Sequence, residues 1–171
     1  KIQLVFSGRA HPLDDNGKAI VANLVDMMEK YPESVVFLEN YDMEIGRHIT
    51  RGSDVWLNNP RRPKEASGTS GMKAAMNGVL NLSILDGWWP EACQHGVNGW
   101  QFGDGFESDK VEEQDAHDLQ ALYDVLLHEV IPTYYQDRKK WLNMMKNSIQ
   151  STRDYFAVKR MLEEYYELLY Q

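Results

Sequence analysis

Glu65-Ala-Ser-Gly-Thr-Ser-Gly-Met-Lys-Ala-Ala-Met-Asn-Gly78, running on into Val79-Leu-Asn-Leu-Ser-Ile-Leu-Asp86, is the stretch on which the reading of this chain turns. Its first part is rich in glycine and hydroxyl residues and passes into a short helical pattern, Ser70 to Asn77. Its second part, Val79 to Leu85, is an apolar run of strand length. Gly68 and Gly71 permit backbone dihedrals closed to other residues and a close approach to a ligand. Thr69 and Ser70 are residue types that cap helices, and the free N–H groups of a helix start attract phosphate. Lys73 is expected within the first helical turn. The run therefore reads as a phosphate cradle beside an amine, suited to an anion-binding lysine or to a lysine in a Schiff base with a cofactor. The plainer alternative is a well-capped helix with a solvated lysine, since short glycine motifs match often by chance.

The same alternation extends outward. Upstream, Ile2–Phe6, Val35–Leu38 and Val55–Leu57 read as strands, with helices at Ala19–Lys30 and Met43–Arg51 between them. Asp14 to Gly17 forms a cap and turn cluster, while Pro32 and Gly52 act as stops. Strands alternating with helices predict an α/β fold, a Rossmann-like parallel sheet with helices on both faces. Ligands of such sheets bind beyond the carboxyl ends of the strands, where Gly8, Asn40, Asn58 and Asp86 lie. Downstream, Gly87 to Glu91 reads as an aromatic loop, Trp100–Phe102 as a short strand, and Asp104–Asp118 as a solvated acidic stretch. Leu119–Glu129, Pro132–Ser148 and Thr152–Leu169 read as C-terminal helices. The last helix carries more apolar surface than a terminal helix needs; it packs on its own domain or meets a missing one.

Read whole, EASGTSGMKAAMNGVLNLSILDGWWPE resembles the signature of the α-glucan (glycogen, starch, maltodextrin) phosphorylases, and the short bacterial and archaeal type in particular. FSGRAHP (Phe6–Pro12), VVFLENYDM (Val35–Met43), DVWLNNPRRP (Asp54–Pro63) and VIPTYY (Val130–Tyr135) resemble the family in the same order. The resemblance implies the C-terminal lobe of a two-lobed, GT-B-type glycosyltransferase that carries pyridoxal 5'-phosphate on Lys73. It implies Gly68, Thr69 and Ser70 around the cofactor phosphate, and Glu65, Ser67 and Gly68 on the reacting glucose. Tyr41, preceded by Asn40, is placed against the cofactor. Arg9 stands where the family usually has lysine; it keeps the charge but not the point-like geometry.

The implied reaction moves a terminal α-1,4-linked glucose from glycogen or maltodextrin to inorganic phosphate, giving glucose 1-phosphate. A sugar-nucleotide-dependent glycogen or starch synthase of the same architecture is the rival reading. Met72 and Lys73 stand where such an enzyme places a second glutamate. A non-catalytic binding module is the third. Arg61 and Arg62 either add positive potential to the site or are solvated loop residues. His11 either contacts phosphate or orders its turn. Trp88 and Trp89 read as a hydrophobic plug rather than a sugar-stacking platform.

With 171 residues and 43% hydrophobic content the chain reads as one domain with a real core. The expected division is an α/β core over 1–103, then an acidic loop and terminal helices over 104–171. A strand at the very start, Lys1-Ile-Gln-Leu-Val-Phe6, suggests a fragment of a longer enzyme lacking its N-terminal lobe and inactive by itself. A formal net charge of −8 argues against a general nucleic-acid or anionic-membrane partner. No apolar run is long enough to span a bilayer. Cys93 is the single cysteine, so no disulfide forms within the chain and the cytoplasm is the default compartment. The five histidines show no metal-ligand spacing, so no metal is expected.

Overall fold

Short parallel strands joined through helices build the chain, as a computed structural model that describes residues 1–65 and 68–170. The backbone divides into two compact units, Lys1–His48 and Ile49–Gln171.

In the first unit, strand β1 (Leu4–Ser7) lies parallel to β2 (Val35–Leu38), with Leu4 opposite Val35 and Ser7 opposite Leu38. Parallel neighbours need a crossover, and helix α1 (Asp15–Lys30) supplies it. The Asp14 side chain caps α1 by accepting from the Gly17 N–H at 2.9 Å, so the helix begins four residues before the expected Ala19. It ends at Lys30, ahead of Pro32. Ser7 Oγ donates to the Leu38 carbonyl at 2.8 Å and closes the carboxyl end of the pair. Helix α2 (Met43–Gly52) carries the chain into the second unit.

In the second unit β3 (Val55–Asn58), β4 (Leu80–Ile84) and β5 (Gly99–Phe102) form a parallel sheet in the order β3-β4-β5. Helix α3 (Thr69–Met76) links β3 to β4, and α4 (Trp89–Ala92) lies between β4 and β5. The parallel α/β class expected from the alternation is thus present. Its strands are recorded as two sheets, one in each unit, where a single sheet was expected. The expected aromatic loop contains a helical turn, α4, with Pro90 in its first turn, where the missing proline N–H would lack a helical partner in any case.

All five residues of β4 are buried. Side chains alternate across a strand, and Leu80, Leu82 and Ile84 pack with Trp100, Phe102, Val130, Trp141 and Met144 into the principal core. That core draws in the C-terminal helices. These are α5 (Val111–Val125), a π-helical segment (Leu126–Val130), α6 (Ile131–Gln136) and α7 (Arg138–Arg153); α8 (Val158–Leu168) follows them and buries none of its residues.

Their limits depart from the sequence reading in three places. Residues 111–118 are helical rather than solvated loop; Glu112 and Glu113 fall in the first turn of α5, where the helix dipole favours negative charge. The helix expected over Pro132–Ser148 divides because Asp137 leaves helical geometry and its carboxylate accepts from the Lys140 N–H at 2.9 Å, starting α7. The α7 helix then runs on to Arg153, so the helix expected from Thr152 begins only at Val158. Among the described residues no helix is long and apolar enough to cross a membrane.

Candidate functional site

The centre of the second unit's candidate site is the start of α3. Gly68 is its N-cap, in a left-handed conformation with φ of 72°, and among the described residues no side chain caps the helix. This corrects the capping role expected of Thr69 and Ser70, which are the first two residues of the helix itself. The difference is chemical. A glycine cap offers no side-chain oxygen, and the N–H groups of Thr69 and Ser70 have no acceptor among the described residues. Two backbone donors and two exposed hydroxyls therefore stand together at the positive end of the helix dipole.

Lys73 lies in the second turn, fifth in the helix, rather than in the first turn as expected. It is exposed and forms no ion pair among the described residues. Residues four apart share a helix face, and helical side chains lean toward the N terminus. Lys73 thus shares the face of Thr69 and leans back over the open end. Gly71, Ala74 and Ala75 occupy the buried side.

Glu65 is held to the same place by the backbone. Its N–H donates to Asp86 Oδ2 at 2.9 Å, and its Oε1 lies 3.8 Å from where a Cβ on Gly68 would stand. Asp86, expected to serve a turn, ties the Glu65 loop to the carboxyl end of β4. Ser67 lies outside the described residues, together with Ala66.

Beneath the helix start sits Trp88, 5% exposed. A Cβ on Gly68 would come within 2.6 Å of its Cδ1, and one on Gly71 within 3.1 Å of its Nε1. Trp88 packs edge-on against Trp89 and Phe156 at centroid distances of 5.2 and 5.1 Å. Trp89 donates through Nε1 to the Trp100 carbonyl at 3.2 Å. Rings so enclosed form a plug rather than a stacking surface for a pyranose. Cys93 packs on this cluster, and burial pushes its thiol up to about 12, which leaves it a neutral, unreactive group beside the site.

Arg61 and Arg62 face the acidic segment. Arg61 makes a two-point pair with Asp115, at 2.6 and 2.8 Å. That hydrogen bond, with the charge behind it, holds the Asp115 carboxyl below its ordinary value and raises the Arg61 guanidinium. Arg62 pairs with Glu107 and donates to the Leu85 carbonyl, while Gln114 donates to the Arg62 carbonyl at 3.3 Å. The two arginines fasten the loop before Glu65 to α5.

Other sequence candidates lie in the first unit. Asn40 has φ of 56°, a conformation asparagine tolerates better than most residues. Tyr41 is exposed, with its hydroxyl against Gly46, where a Cβ would meet it at 2.6 Å. Within that unit, Gly8 and Asn40 follow the paired ends of β1 and β2; within the second, Asn58 and Asp86 follow or close the paired ends of β3 and β4. Arg9 is exposed; His11 accepts through Nδ1 from the Leu13 N–H at 3.1 Å, which orders its turn.

Sequence reasoning did not single out Asn81. It is fully enclosed in β4, donates to the Gly71 carbonyl at 3.0 Å and accepts from Asn58 Nδ2 at 3.0 Å. The available signal was one amide inside an otherwise apolar run, and a buried polar residue is an informative observation.

The N–H pair and the lysine amine, without acceptor or ion pair among the described residues, together with the left-handed glycine, fit a phosphate-bearing aldehyde. Among the described residues no cluster of His, Cys, Asp or Glu is placed to hold a metal ion.

The family model for carbohydrate phosphorylases matches residues 1–167. A maltodextrin phosphorylase of Thermococcus litoralis is 48% identical over 171 residues, covering 99% of this chain and 20% of that protein. A glycogen phosphorylase of Aquifex aeolicus is 46% identical, covering 99% of this chain and 25% of its own length. One from Mycobacterium tuberculosis is 41% identical, with 99% and 20% covered. The chain thus spans a fifth to a quarter of these relatives. Among solved structures, that of Anabaena Alr3699/HepE in complex with UDP superposes with a TM-score of 0.71 at 19% identity, over 98% of this chain and 40% of that one, a likeness of fold. With its model matched over nearly every residue, the chain belongs to the carbohydrate phosphorylase family.

Proposed function

We propose that this chain forms the cofactor-binding part of an α-glucan phosphorylase, working with an N-terminal lobe of the same polypeptide in the cytoplasm. The reaction is transfer of a terminal α-1,4-linked glucose from glycogen or maltodextrin to inorganic phosphate, giving glucose 1-phosphate. The observation that carries the reading is the open start of α3. Its Thr69 and Ser70 N–H groups lack acceptors among the described residues, with Lys73 on the Thr69 face. Identities of 41–48% to glycogen and maltodextrin phosphorylases support it.

In this reading Lys73 holds pyridoxal 5'-phosphate covalently, and Gly68, Thr69 and Ser70 seat its phosphate. When bound, the cofactor supplies an acidic phosphate next to the substrate phosphate. Two phosphates close together repel each other, and the α3 dipole and its N–H donors offset part of that repulsion. Glu65 and Ser67 accept from and donate to the sugar hydroxyls, with Glu65 oriented by Asp86. Trp88 keeps water from beneath the helix start.

Incubation with pyridoxal phosphate, borohydride reduction and peptide mapping test the assignment. The expected result is a single modified lysine, Lys73, lost in Lys73→Ala. Label at other lysines with Lys73 untouched refutes it. A synthase or a bare binding module gives no specific label. The chain by itself is expected to form no glucose 1-phosphate.

A further inference from the structure

We propose that Asn81 is a positioning residue for the anion-facing end of α3, held in orientation by Asn58; the inference rests on the cofactor reading above. The Asn81 side chain joins three elements. It stands on β4, donates through Nδ2 to the carbonyl of Gly71 on α3 at 3.0 Å, and accepts through Oδ1 from Asn58, the last residue of β3, at 3.0 Å. The orientation of both amides follows from the backbone. A carbonyl only accepts, so Asn81 must turn its NH2 toward Gly71. Its oxygen then faces Asn58, which must present NH2 in turn.

The contact has almost no slack. A Cβ on Gly71 would stand 2.7 Å from Asn81 Oδ1, 3.1 Å from Trp88 Nε1 and 3.3 Å from Asn58 Nδ2. Gly71 directly follows Thr69 and Ser70, whose N–H groups form the cradle, and lies two residues before Lys73. The height and roll of this turn over the sheet fix where those donors and that amine point. Asn81 is 0% exposed, so it reaches no ligand and acts only through Gly71. An apolar side chain would fill the strand without needing partners. What the amide adds is one direction-specific tie between sheet and helix, in surroundings where hydrogen bonds are strong and missing ones costly.

The test measures affinity of the full chain for pyridoxal phosphate and for pyridoxal, which lacks the phosphate, with hydrogen exchange of the α3 amides followed alongside. In Asn81→Leu the preference for the phosphorylated form is expected to fall about tenfold, and α3 amides to exchange about tenfold faster, with folding intact by circular dichroism. Gly71→Ala is expected to lose the same preference in the native background and to add little further loss in Asn81→Ser, which already lacks both the tie and the clashing oxygen. Simple loss of stability would lower both affinities together, and the effects of the two substitutions would add. Unchanged preference in a folded Asn81→Leu protein, or a Gly71→Ala effect equal in both backgrounds, overturns the inference. If Asn81→Leu fails to fold, the Gly71→Ala pair decides alone. A native chain that leaves Lys73 unlabelled overturns the cofactor reading and this inference with it; label with no effect of Asn81 overturns the inference alone.

Discussion

Gly68 bears two demands at once. Its φ of 72° disfavours any side chain, and a Cβ there would press to within 2.6 Å of Trp88 Cδ1. Gly68→Ala is expected to destabilise the fold by about 1–3 kcal/mol, from left-handed strain plus displacement of a buried ring. Urea unfolding checks this; an unchanged midpoint would mean the turn relaxes into another conformation. The special conformation of Gly68 was legible because a glycine just ahead of a short helical pattern is the residue type that takes dihedrals closed to others. Asn81 was not legible in the same way. A single amide among apolar letters announces burial but not its partners, and Asn58 and Gly71 are respectively 23 and 10 residues away. The cap was misread for a related reason: Thr69 and Ser70 are good capping residues by type, but Gly68 had already taken the left-handed position.

At the scale of elements, the loop before Glu65 and the start of α5 behave as one latch. Arg61 holds the Asp115 carboxyl below its ordinary value through their hydrogen bonds. A carboxyl whose folded pKa is lowered contributes stability that is present above its unfolded pKa, about 3.9 for Asp, and lost as pH falls through the folded value. The latch is therefore expected to be closed at neutral pH and to open below about pH 4. Asp115→Asn should remove part of the acid sensitivity, seen as a smaller drop in unfolding midpoint between neutral and acid pH than in the native chain. An identical drop in both would show that the pair adds nothing, as exposed pairs often do. This latch was hidden in the sequence, where a run of acidic residues reads as solvated face. Paired arginines more than forty residues upstream give no local hint of it. Strand β2, by contrast, was read to the residue, because Val35–Leu38 is an unbroken apolar run between clear stops.

At the scale of the whole chain, the second unit gathers its stability where sheet and C-terminal helices meet. Trp141 of α7 is 1% exposed and packs with its ring centroid 5.8 Å from that of Trp100 of β5, tilted, and 4.8 Å from that of Tyr134 of α6, edge to face. Trp141→Ala is expected to cost about 3–5 kcal/mol, by loss of buried area and the cavity left behind. It should also release α7 from protection in hydrogen exchange; a stable variant with α7 still protected would show the helix to be held elsewhere. The α/β class was open to sequence reading because periodicity changes visibly between strand and helix. The division of the strands into two sheets was not, since pairing is a long-range choice that no local pattern records. The distribution of indoles has an optical consequence. Trp56, Trp88, Trp89, Trp100 and Trp141 all fall in the unit spanning Ile49–Gln171, and none in Lys1–His48. Emission excited at the red edge of protein absorption therefore originates wholly in that larger unit, which makes it an optical label for the sheet-and-helix body that carries Lys73.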